Sequence, residues 1–305
     1  MKKNYSFVIP HHNTPKLLER LINSIPLRDD IEIIVVDDNS DSDKKASVSR
    51  GDVRIIFIDK EQSGGAGKAR NIGMSAASGK WLLFADSDDF YKEGFIDVLD
   101  DYKDDDIDML FYNIESVDSD TLEPINRGQL QREIISQYDG SETASNNLLY
   151  MTFSPWRRML NLSYVKKYGF RFEETLRGND MFFSLQASYF AKKWKVDSRS
   201  VYVLTHYSGS LTYGKTTSTK YKTLMLIYRR TAEFYKFIGH PEWNKKTIRG
   251  IYPQSCIRQV IRFYKIRKSV GVEALIYYLC HWFEIEKKAY YYVDVIKEME
   301  RNANG

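Results

Sequence analysis

Paired aspartates directly follow two short apolar runs, and they are the residues best suited to chemistry. The runs span residues 31–36 and 81–85, and the carboxylates that follow them are Asp37, Asp38, Asp86, Asp88 and Asp89. Short runs rich in β-branched and aromatic residues are typical of buried strands. Like charges at close range raise each other's pKa, so such a cluster needs a cation. A divalent ion that holds a phosphate would supply it, which points to nucleotide chemistry.

Asp86 and Asp88 flank a single residue, Ser87. In extended backbone, alternate side chains share a face, so both carboxylates could reach one ion. Mg²⁺ takes one or two carboxylates and completes its shell with phosphate oxygens. The alternative is an acidic turn or a helix N-cap, which Asp88 and Asp89 would both suit. The second acidic strand end favours the metal.

The other acidic pair, Asp37-Asp38, has two interpretations of equal weight. These carboxylates could accept hydrogen bonds from a nucleobase or from ribose hydroxyls. They could equally form a turn with Asn39 and Ser40.

Residues 64–73, GGAGKARNIG, form a glycine-rich turn into a predicted helix. Glycines let the backbone approach a ligand, a helix N-terminus favours anions, and Lys68 and Arg70 add positive charge. A P-loop would need Ser or Thr where Ala69 stands, and a dinucleotide fingerprint would need glycine where Arg70 stands. The alternative is a flexible loop.

Two further polar residues stand at the ends of predicted elements. Asp180 opens an amphipathic helix, and its spacing alone favours a helix cap over a general base. His206 follows a predicted strand and could donate to a phosphate or be a satisfied loop histidine. The five histidines lack metal-ligand spacing, and no Ser-His-Asp or Cys-His arrangement has positional support.

The apolar pattern predicts alternating strands and helices that would position these residues. Strands are predicted at residues 7–9, 31–37, 53–58, 81–85 and 107–112, and helices at 15–25, 68–77 and 95–99. This order implies a parallel sheet with right-handed crossovers, in which ligands bind beyond the carboxyl ends of the strands. Residues 116–147 read as a long insert or a loop, 181–189 as a helix and 196–204 as a strand pair.

Composition sets the class of protein. The chain has 305 residues, of which 43% are hydrophobic and 28% are charged, as expected of a globular protein. Its two cysteines, Cys256 and Cys280, are too few for a disulfide framework. The apolar stretch near the start is too short for a signal peptide, and no window could span a membrane. These features predict a cytoplasmic protein.

The region after Gly214 has a different character. From Thr216 onward there are 17 lysines and arginines against 8 aspartates and glutamates, a net charge of +9, which leaves −5 for the preceding residues. Helical spacing continues through residues 224–238, and a basic stripe follows at Arg258, Arg262, Lys265 and Lys268 among many aromatic residues. Such a stripe is more often a solvated helix face than a binding surface. As a binding surface it suits peripheral contact with an anionic membrane face or a homo-oligomer interface, and the acidic first part argues against nucleic acid.

As an ordered set, the motifs resemble those of inverting family-2 glycosyltransferases with the GT-A fold. The segments are FVIPHHN at 7–13, VVDDNS at 35–40, GKARNIG at 67–73, DSDD at 86–89, PWRRML at 155–160, FRF at 170–172, ND at 179–180 and SGSLT at 208–212. The resemblance implies an α/β GT-A catalytic domain over residues 1–215, with a Rossmann-like, mostly parallel sheet flanked by helices. Residues 216–305 form a basic, aromatic-rich helical extension outside it.

The resemblance implies roles for particular residues. Asp180 would be the general base, and Asp88 and Asp86 would hold Mg²⁺ or Mn²⁺ against the diphosphate. The donor nucleotide would lie against Pro10, His11, Asp37, Asp38, Gly67, Arg70 and Asp86, and the acceptor or diphosphate side would include Trp156, Asn179 and His206. Asn179 replaces the family's glutamate, and Trp156-Arg157-Arg158 replaces its Trp-Asn-Lys.

The implied activity is transfer of a sugar from a nucleotide diphosphate, with uridine as the expected base. The implied acceptor is a lipid-linked glycan or a growing bacterial surface polysaccharide such as a capsule. Two other hypotheses stay open: a metal-dependent nucleotidyltransferase, which would release pyrophosphate, and an inactive module that binds sugar nucleotides or membrane. A product assay separates the first from glycosyl transfer, and binding without turnover would favour the second.

Overall fold

The computed structural model describes residues 2–175, 178–206, 218–243, 280 and 282–304. The chain divides into two compact units. The first comprises Met1–Glu174 and Asn179–Tyr213, and the second comprises Thr175–Gly178 and Gly214–Gly305.

The first unit contains an eight-stranded mixed sheet. Its strands are β1 (Tyr5–His11), β2 (Ile31–Asp38), β3 (Val53–Ile58), β4 (Trp81–Phe84), β5 (Phe90–Tyr91), β6 (Met109–Asp118), β7 (Arg158–Asn161) and β8 (Trp194–His206). Their order is β3-β2-β1-β4-β7-β6-β8-β5. Strands β3, β2, β1 and β4 are mutually parallel, as expected from the sequence. Strand β7 lies antiparallel between β4 and β6, so the sheet is mixed rather than wholly parallel.

Helices cover the sheet and complete the fold. In the first unit they are α1 (Pro15–Ser24), α2 (Gly65–Ala76), α3 (Phe95–Asp100), α4 (Gln129–Ser136), α5 (Glu142–Tyr150), α6 (Leu162–Tyr168) and α7 (Met181–Phe190), with a 3-10 turn at Pro155–Arg157. The elements predicted in the first hundred residues are confirmed within about three residues at each end. The α/β architecture that the motifs implied is present.

In the middle of the chain, the loop interpretation of residues 116–147 and the predicted strand pair at 196–204 are wrong. Residues 116–147 hold the end of β6, α4 and most of α5. These helices bury only Ile135, Leu148 and Leu149, so they leave little apolar periodicity to detect. The supposed strand pair at 196–204 is one strand, β8. Its register against β6 jumps from Asp197 to Ser200, and this bulge breaks the alternation that identifies a continuous strand.

Aromatic packing fixes α7 against the sheet. The ring of Phe84, in β4, lies edge-on to Phe172 and Phe183, with centroids 4.9 and 5.6 Å away. Phe172 and Phe183 stack on each other at 3.9 Å. Because Phe183 belongs to α7, this cluster holds the start of the helix beside the carboxyl end of β4.

The second unit contains α8 (Ser218–Phe237), a 3-10 turn at Pro241–Trp243 and α9 (Trp282–Asn304). Arg230 of α8 lies over the ring of Tyr292 of α9 at 3.8 Å. The helical character predicted for the C-terminal region is confirmed for these residues, whereas the basic stripe at 258–268 and Cys256 lie outside the described residues. No helix in the described part of the chain is long and apolar enough to cross a membrane.

Candidate active site

The carboxyl ends of β1, β2 and β4 meet at one edge of the sheet, because the three strands are adjacent and parallel. Pro10 and His11 end β1, Asp37 and Asp38 end β2, and Asp86 follows β4 by two residues. The sequence predicted that the acidic clusters would share an edge, and the strand order confirms it.

His11 and Asp37 bind each other and the neighbouring loops. Both are about 1% exposed. His11 Nδ1 donates to Asp37 Oδ2 at 2.9 Å, because its Nε2 accepts the Thr14 N–H. The Asp37 carboxylate also accepts the N–H groups of Ser40 and Ala46 at 2.9 and 2.6 Å. The turn interpretation therefore describes Asp37, whose carboxylate shapes the loop after β2.

The charge states in this pair follow from burial and hydrogen bonding. Burial lowers the pKa of His11, against the raising influence of Asp37, so the ring is neutral at pH 7. Burial raises the pKa of Asp37, but the hydrogen bonds from Ser40 and Ala46 outweigh burial and leave the pKa below its ordinary value. The carboxylate has three donors and the ring is buried, so this pair shapes the loops around it, and its contact with the donor nucleotide stays a prediction.

Asp38 holds the glycine-rich turn at the start of α2. Its carboxylate accepts the N–H groups of Gly64 and Gly65 at 3.3 and 2.7 Å, and the residue is 7% exposed. Gly65 has a φ of +76°, which favours glycine. A carboxylate at a helix N-terminus also offsets the helix dipole. The turn is thus attached to the end of β2.

One face of α2 holds the segment that leads to Asp180. A Cβ on Gly67 would lie 2.0 Å from the Glu173 carbonyl oxygen, so only glycine allows this approach. On the next turn, the Asn71 side-chain amide donates to the Phe172 carbonyl and its oxygen accepts the Phe172 N–H, both at 2.9 Å. The sequence assigned Gly67 to the nucleotide, whereas the structure explains its lack of a side chain by helix packing.

Arg70 connects the predicted site residues. Its Nη1 donates to Asn179 Oδ1 at 2.8 Å and its Nη2 donates to Asp86 Oδ1 at 2.5 Å. The guanidinium also lies 5.4 Å from the centre of the Phe172 ring. Arg70 is 5% exposed, whereas the Asp86 side chain is 34% exposed. The Arg70 guanidinium therefore connects α2 to the loop after β4 and to the residue before Asp180.

Asp180 lies at the N-cap position of α7 but does not cap it. Its side chain accepts no capping hydrogen bond, so the interpretation favoured by spacing alone is wrong. Burial raises the pKa of the Asp180 carboxyl above its ordinary value. The positive charges of Arg70 and Arg158 oppose that rise, while Asp86 adds to it. A carboxyl of raised pKa beside two cations and a second carboxylate is suited to accepting a proton.

The segment Asp86–Asp89 is a turn, not the extended backbone expected from the sequence. The Asp89 N–H donates to the Asp86 carbonyl at 3.0 Å. The two flanking carboxylates still act on each other. Burial, then the charge of Asp86, raises the pKa of Asp88 to about 6. The turn and metal interpretations are therefore compatible.

A buried network that the sequence did not reveal supports this turn. Asp89 is 1% exposed and accepts the Tyr202 hydroxyl at 2.8 Å and the Thr205 N–H at 2.7 Å. Tyr202 in turn accepts the Asp86 N–H at 2.9 Å. Arg20 of α1 donates to the Asp88 carbonyl at 2.7 Å. The partners are more than 60 residues away along the chain, so no local pattern could have indicated them.

Trp156 and His206 are next to residues of the Asp89 network. Trp156 is 7% exposed and stacks on Tyr202, with centroids 5.4 Å apart and planes 8° apart. It therefore presents little surface to an acceptor. His206 ends β8 opposite Asp118, directly after the Thr205 that binds Asp89. His206 lies one residue beyond the network, and its role stays a prediction.

The residues present fit a divalent cation held partly by substrate. Among the described residues, no group of three or more His, Cys, Asp or Glu side chains could hold a metal ion. A pair of carboxylates suffices where phosphate oxygens complete the shell. Asp86 and Asp88 are the two carboxylates available for this, and a cation would offset the burial and the Asp86 charge that raise the pKa of Asp88.

The sequence matches a family model over this same part of the chain. The model describes glycosyl transferase family 2 and matches residues 6–169, more than half of the protein. The chain belongs to glycosyl transferase family 2. Membership of this family favours glycosyl transfer and argues against the nucleotidyltransferase alternative.

Relatives of this family-2 enzyme come from several bacteria. The glycosyltransferase GlyG of Streptococcus pneumoniae is 36% identical over 32% of this chain and 35% of that protein. The uncharacterized glycosyltransferase EpsJ of Bacillus subtilis is 25% identical over 91% of this chain and 92% of its own length. The Staphylococcus aureus poly(ribitol-phosphate) β-N-acetylglucosaminyltransferase TarS is 27% identical over 65% of this chain. The chain matches about a third of the length of GlyG and of TarS.

Solved structures of TarS share the fold. Residues 1–349 of S. aureus TarS align with a TM-score of 0.59 at 17% identity, covering 98% of this chain and 91% of that one. The same TarS fragment in complex with UDP-GlcNAc aligns with a TM-score of 0.57 at 18% identity. At this identity the similarity establishes the GT-A fold alone.

Proposed function

We propose that this protein transfers a sugar, with inversion, from a uridine diphosphate donor to a hydroxyl group of a lipid-linked or surface glycan. The solved complexes of TarS with UDP and UDP-GlcNAc support the choice of donor. The names of relatives that act on poly(ribitol-phosphate) and on an undecaprenol-linked glycan support the class of acceptor.

The observation that carries the proposal is the placement of Asp180. Its carboxyl is not used as a helix cap, and Arg70 joins its neighbour Asn179 to Asp86 at the carboxyl end of β4. The proposed base Asp180 therefore lies with the Asp86–Asp88 pair and the Arg70 guanidinium. They lie beyond the carboxyl ends of the strands, where α/β folds bind ligands.

We assign the proton transfer to Asp180. An acceptor hydroxyl would lose its proton to the Asp180 carboxylate while its oxygen forms a bond to the anomeric carbon. The bond from that carbon to the diphosphate oxygen breaks, and the nucleoside diphosphate leaves on the opposite face. A single base with no second nucleophilic carboxylate suits one displacement, which inverts the configuration.

We assign the metal to Asp86 and Asp88. A bound Mg²⁺ or Mn²⁺ would neutralise charge on the departing diphosphate. Arg70 would keep Asp86 in place through its 2.5 Å contact, and Asp89 would keep the turn in place through Tyr202 and Thr205. Asp38 would order the glycine-rich turn beside the nucleotide rather than bind the base directly.

We further propose that residues 1–215 form the catalytic domain. The basic region from 216 to 305 would then bring the enzyme to the cytoplasmic face of the membrane, where lipid-linked acceptors are found. This assignment uses the net charge of +9 from Thr216 onward.

A donor screen tests the proposal. The melting temperature would be measured with UDP-GlcNAc, UDP-glucose, UDP-galactose and GDP-mannose, each with Mg²⁺, Mn²⁺ or EDTA. A ligand bound only by the folded protein stabilises it and so raises its melting temperature. At a ligand concentration one hundred times Kd, the free energy of unfolding increases by about 2.7 kcal/mol. Stabilisation by a UDP-sugar that EDTA removes supports the proposal. Stabilisation by GDP-mannose alone would overturn the choice of base.

Turnover of the selected donor then tests the base. The wild-type protein should release a nucleoside diphosphate and no pyrophosphate. Asp180→Asn should lower kcat by about a thousandfold while leaving donor binding nearly intact. Unchanged turnover in this variant would remove Asp180 from the mechanism. Donor binding without turnover by the wild-type protein, across a panel of glycan acceptors, would favour an inactive binding module.

A further inference from the structure

Arg158 is a fully buried cation that makes no salt bridge with any acidic side chain of the described residues. It begins β7, and its guanidinium lies 5.0 Å from the centre of the Phe111 ring. Burial lowers its pKa to about 9, so it stays charged at pH 7. A buried charge without a close partner is costly, so its position needs an explanation beyond packing.

The hydrogen bonds of Arg158 hold one face of α7. Its Nη1 donates to the Ser184 carbonyl at 2.9 Å and to Ser188 Oγ at 3.2 Å. Its Nη2 donates to the Thr152 carbonyl at 2.8 Å. Ser184 and Ser188 follow Asp180 by four and eight residues, so all three lie along one stripe of the helix. The guanidinium therefore fixes the helix stripe that begins at Asp180.

The first turn of α7 connects Arg158 to the proposed base. The Ser184 N–H donates to the Asp180 carbonyl at 3.0 Å, and the carbonyl of the same Ser184 accepts from Arg158. Arg158 is also one of the charged groups that act on the Asp180 carboxyl; the others are Arg70 and Asp86. Arg70 approaches from α2 and Asp86 from the loop after β4, whereas Arg158 approaches from the sheet.

We propose that Arg158 is a positioning residue for Asp180, which fixes the first two turns of α7 and supplies a positive charge behind the carboxylate. The inference rests on the proposed role of Asp180 as the base. Arg158 contacts neither donor nor metal in this scheme. It acts through the helix and through charge, so its removal should affect the chemical step rather than donor binding.

Arg157 provides a matched control. It is equally buried, and burial likewise lowers its pKa to about 9. Its guanidinium donates to the Thr152 hydroxyl, and the charged groups acting on it are Arg158 and Tyr112, not Asp180. Arg157→Met therefore removes a buried cation of the same size from the adjacent position, and the hydrogen bond that it removes does not reach α7.

The kinetic test compares Arg158→Met, Arg158→Lys and Arg157→Met with the wild type, using the donor that the screen selects. Arg158→Met should lower kcat about tenfold or more with an unchanged KM for the donor, because the base is displaced while the donor contacts remain. The acidic limb of the kcat–pH profile should move to higher pH, since one of the two cations that favour ionised Asp180 is gone. Arg158→Lys should return the acidic limb to its wild-type pH but restore only part of kcat.

Arg157→Met should leave the acidic limb in place. Equal displacement of the limb in both methionine variants would overturn the proposal, because the effect would then be general. If Arg158→Met keeps the wild-type kcat and its acidic limb stays at the wild-type pH, the proposal is overturned directly. Where Arg158→Met does not fold, Arg158→Gln takes its place in every comparison.

A second measurement needs no activity. In a double-mutant cycle of melting temperatures at pH 8, Arg158→Met and Asp180→Asn together should cost less than the sum of the single variants, by about 2 °C or more. The cycle of Arg157→Met with Asp180→Asn should be additive. Additivity in both cycles would refute the link between Arg158 and Asp180. An inactive wild-type protein with coupling in the first cycle would instead refute the proposed function and keep the link.

Discussion

The aspartates of the candidate site differ in what surrounds them. Asp37 and Asp38 both accept hydrogen bonds from backbone N–H groups, and at Asp37 these hydrogen bonds lower the pKa of the carboxyl. Asp88 has burial and the charge of Asp86 acting against ionisation, and its pKa rises to about 6. The same residue type thus shapes a loop in one place and is electrostatically unfavourable in another.

Asp88 should therefore destabilise the metal-free protein at neutral pH. Its pKa is higher in the folded state than in the unfolded state, so the folded protein loses stability as the pH rises from about 4 to about 6. In EDTA at pH 7.5, Asp88→Asn should raise the free energy of unfolding by about 1–3 kcal/mol. The gain should vanish below pH 4. Urea denaturation at several pH values measures it.

Asp118→Asn serves as the control for this prediction. Hydrogen bonds from the backbone of Thr121 and Asp120 lower the pKa of Asp118, so its charge is favourable in the folded state. The substitution should lower stability at pH 7.5, opposite in sign to Asp88→Asn. A loss of stability in Asp88→Asn at pH 7.5 in EDTA would contradict the proposed electrostatic conflict.

Helix α2 is the element that organises the site. Its first turn donates hydrogen bonds to Asp38, and Gly67 leaves room for the Glu173 carbonyl. Arg70 joins Asp86 to Asn179. Asn71 pairs with the backbone of Phe172. These contacts hold Phe172 and Glu173, and the Glu173 N–H donates to the carbonyl of Asn179, the residue before Asp180, at 3.1 Å. A small change on this face of the helix should therefore reach the proposed base.

Gly67→Ala tests the close approach of this segment to α2. Alanine normally favours a helix over glycine, yet here its methyl group would lie 2.0 Å from the Glu173 oxygen. The variant should lose about 1–3 kcal/mol of stability and also lower kcat, because the segment must move. Calorimetry and donor turnover measure the two effects.

Gly51→Ala is the control for Gly67→Ala. A Cβ on Gly51 would meet nothing within 4 Å, and the residue has no positive φ. Its stability and turnover should stay near the wild-type values. Comparable behaviour of the two alanine variants would show that the segment does not depend on the missing side chain.

Asn71→Leu tests the backbone pairing. Leucine has a similar size but leaves the Phe172 N–H and carbonyl buried without partners, at a cost of about 1–3 kcal/mol for each group. Transfer should slow more than this loss of folded protein explains, because Glu173, the residue after Phe172, donates its N–H to the Asn179 carbonyl directly before Asp180. The fraction folded and kcat should be measured at one temperature.

Asn161→Ala provides a loss of stability without a link to the site. Asn161 caps α6 through the Ser163 N–H and pairs with Trp81 at the amino end of β4, away from the carboxyl ends where the site residues lie. Loss of such a cap costs about 1 kcal/mol. The turnover of the folded Asn161→Ala protein should match the wild type, and a rate loss like that of Asn71→Leu would indicate a general effect.

At the scale of the whole molecule, charge is unevenly distributed. The region from Thr216 carries +9 and the rest −5. An anionic membrane attracts each exposed Lys or Arg by about 1 kcal/mol near its surface. We predict that the full chain sediments with vesicles containing one third phosphatidylglycerol and not with phosphatidylcholine alone, and that 0.5 M NaCl releases it.

A variant in which Arg258, Arg262, Lys265 and Lys268 become glutamine should bind these vesicles much more weakly. Its matched control replaces Lys2, Lys16, Lys60 and Lys103 of the first unit, and removes the same charge. Vesicle binding that depends equally on both sets would point to net charge alone. Salt-resistant dimers without vesicle binding, seen by light scattering, would assign the region to an oligomer interface instead.

The sequence alone determined where the acidic residues lie. The strands that end at Asp38 and before Asp86 were predictable because apolar runs and the residues that stop them are local features. Adjacent parallel strands then place both clusters at one edge. The ordered motifs also indicated the family, although α4, α5 and the bulged β8 escaped detection for lack of regular periodicity.

Only the tertiary structure decided which of these residues form hydrogen bonds within the protein. Asp37 binds His11, Asp38 binds the turn before α2, and Asp180 does not cap its own helix. Arg70 meets Asn179 across 109 residues of sequence, and Asp89 meets Tyr202 across 113. A hydrogen bond depends on distance and direction in space, and residues so far apart along the chain are brought together only by the packing of the whole sheet and its helices.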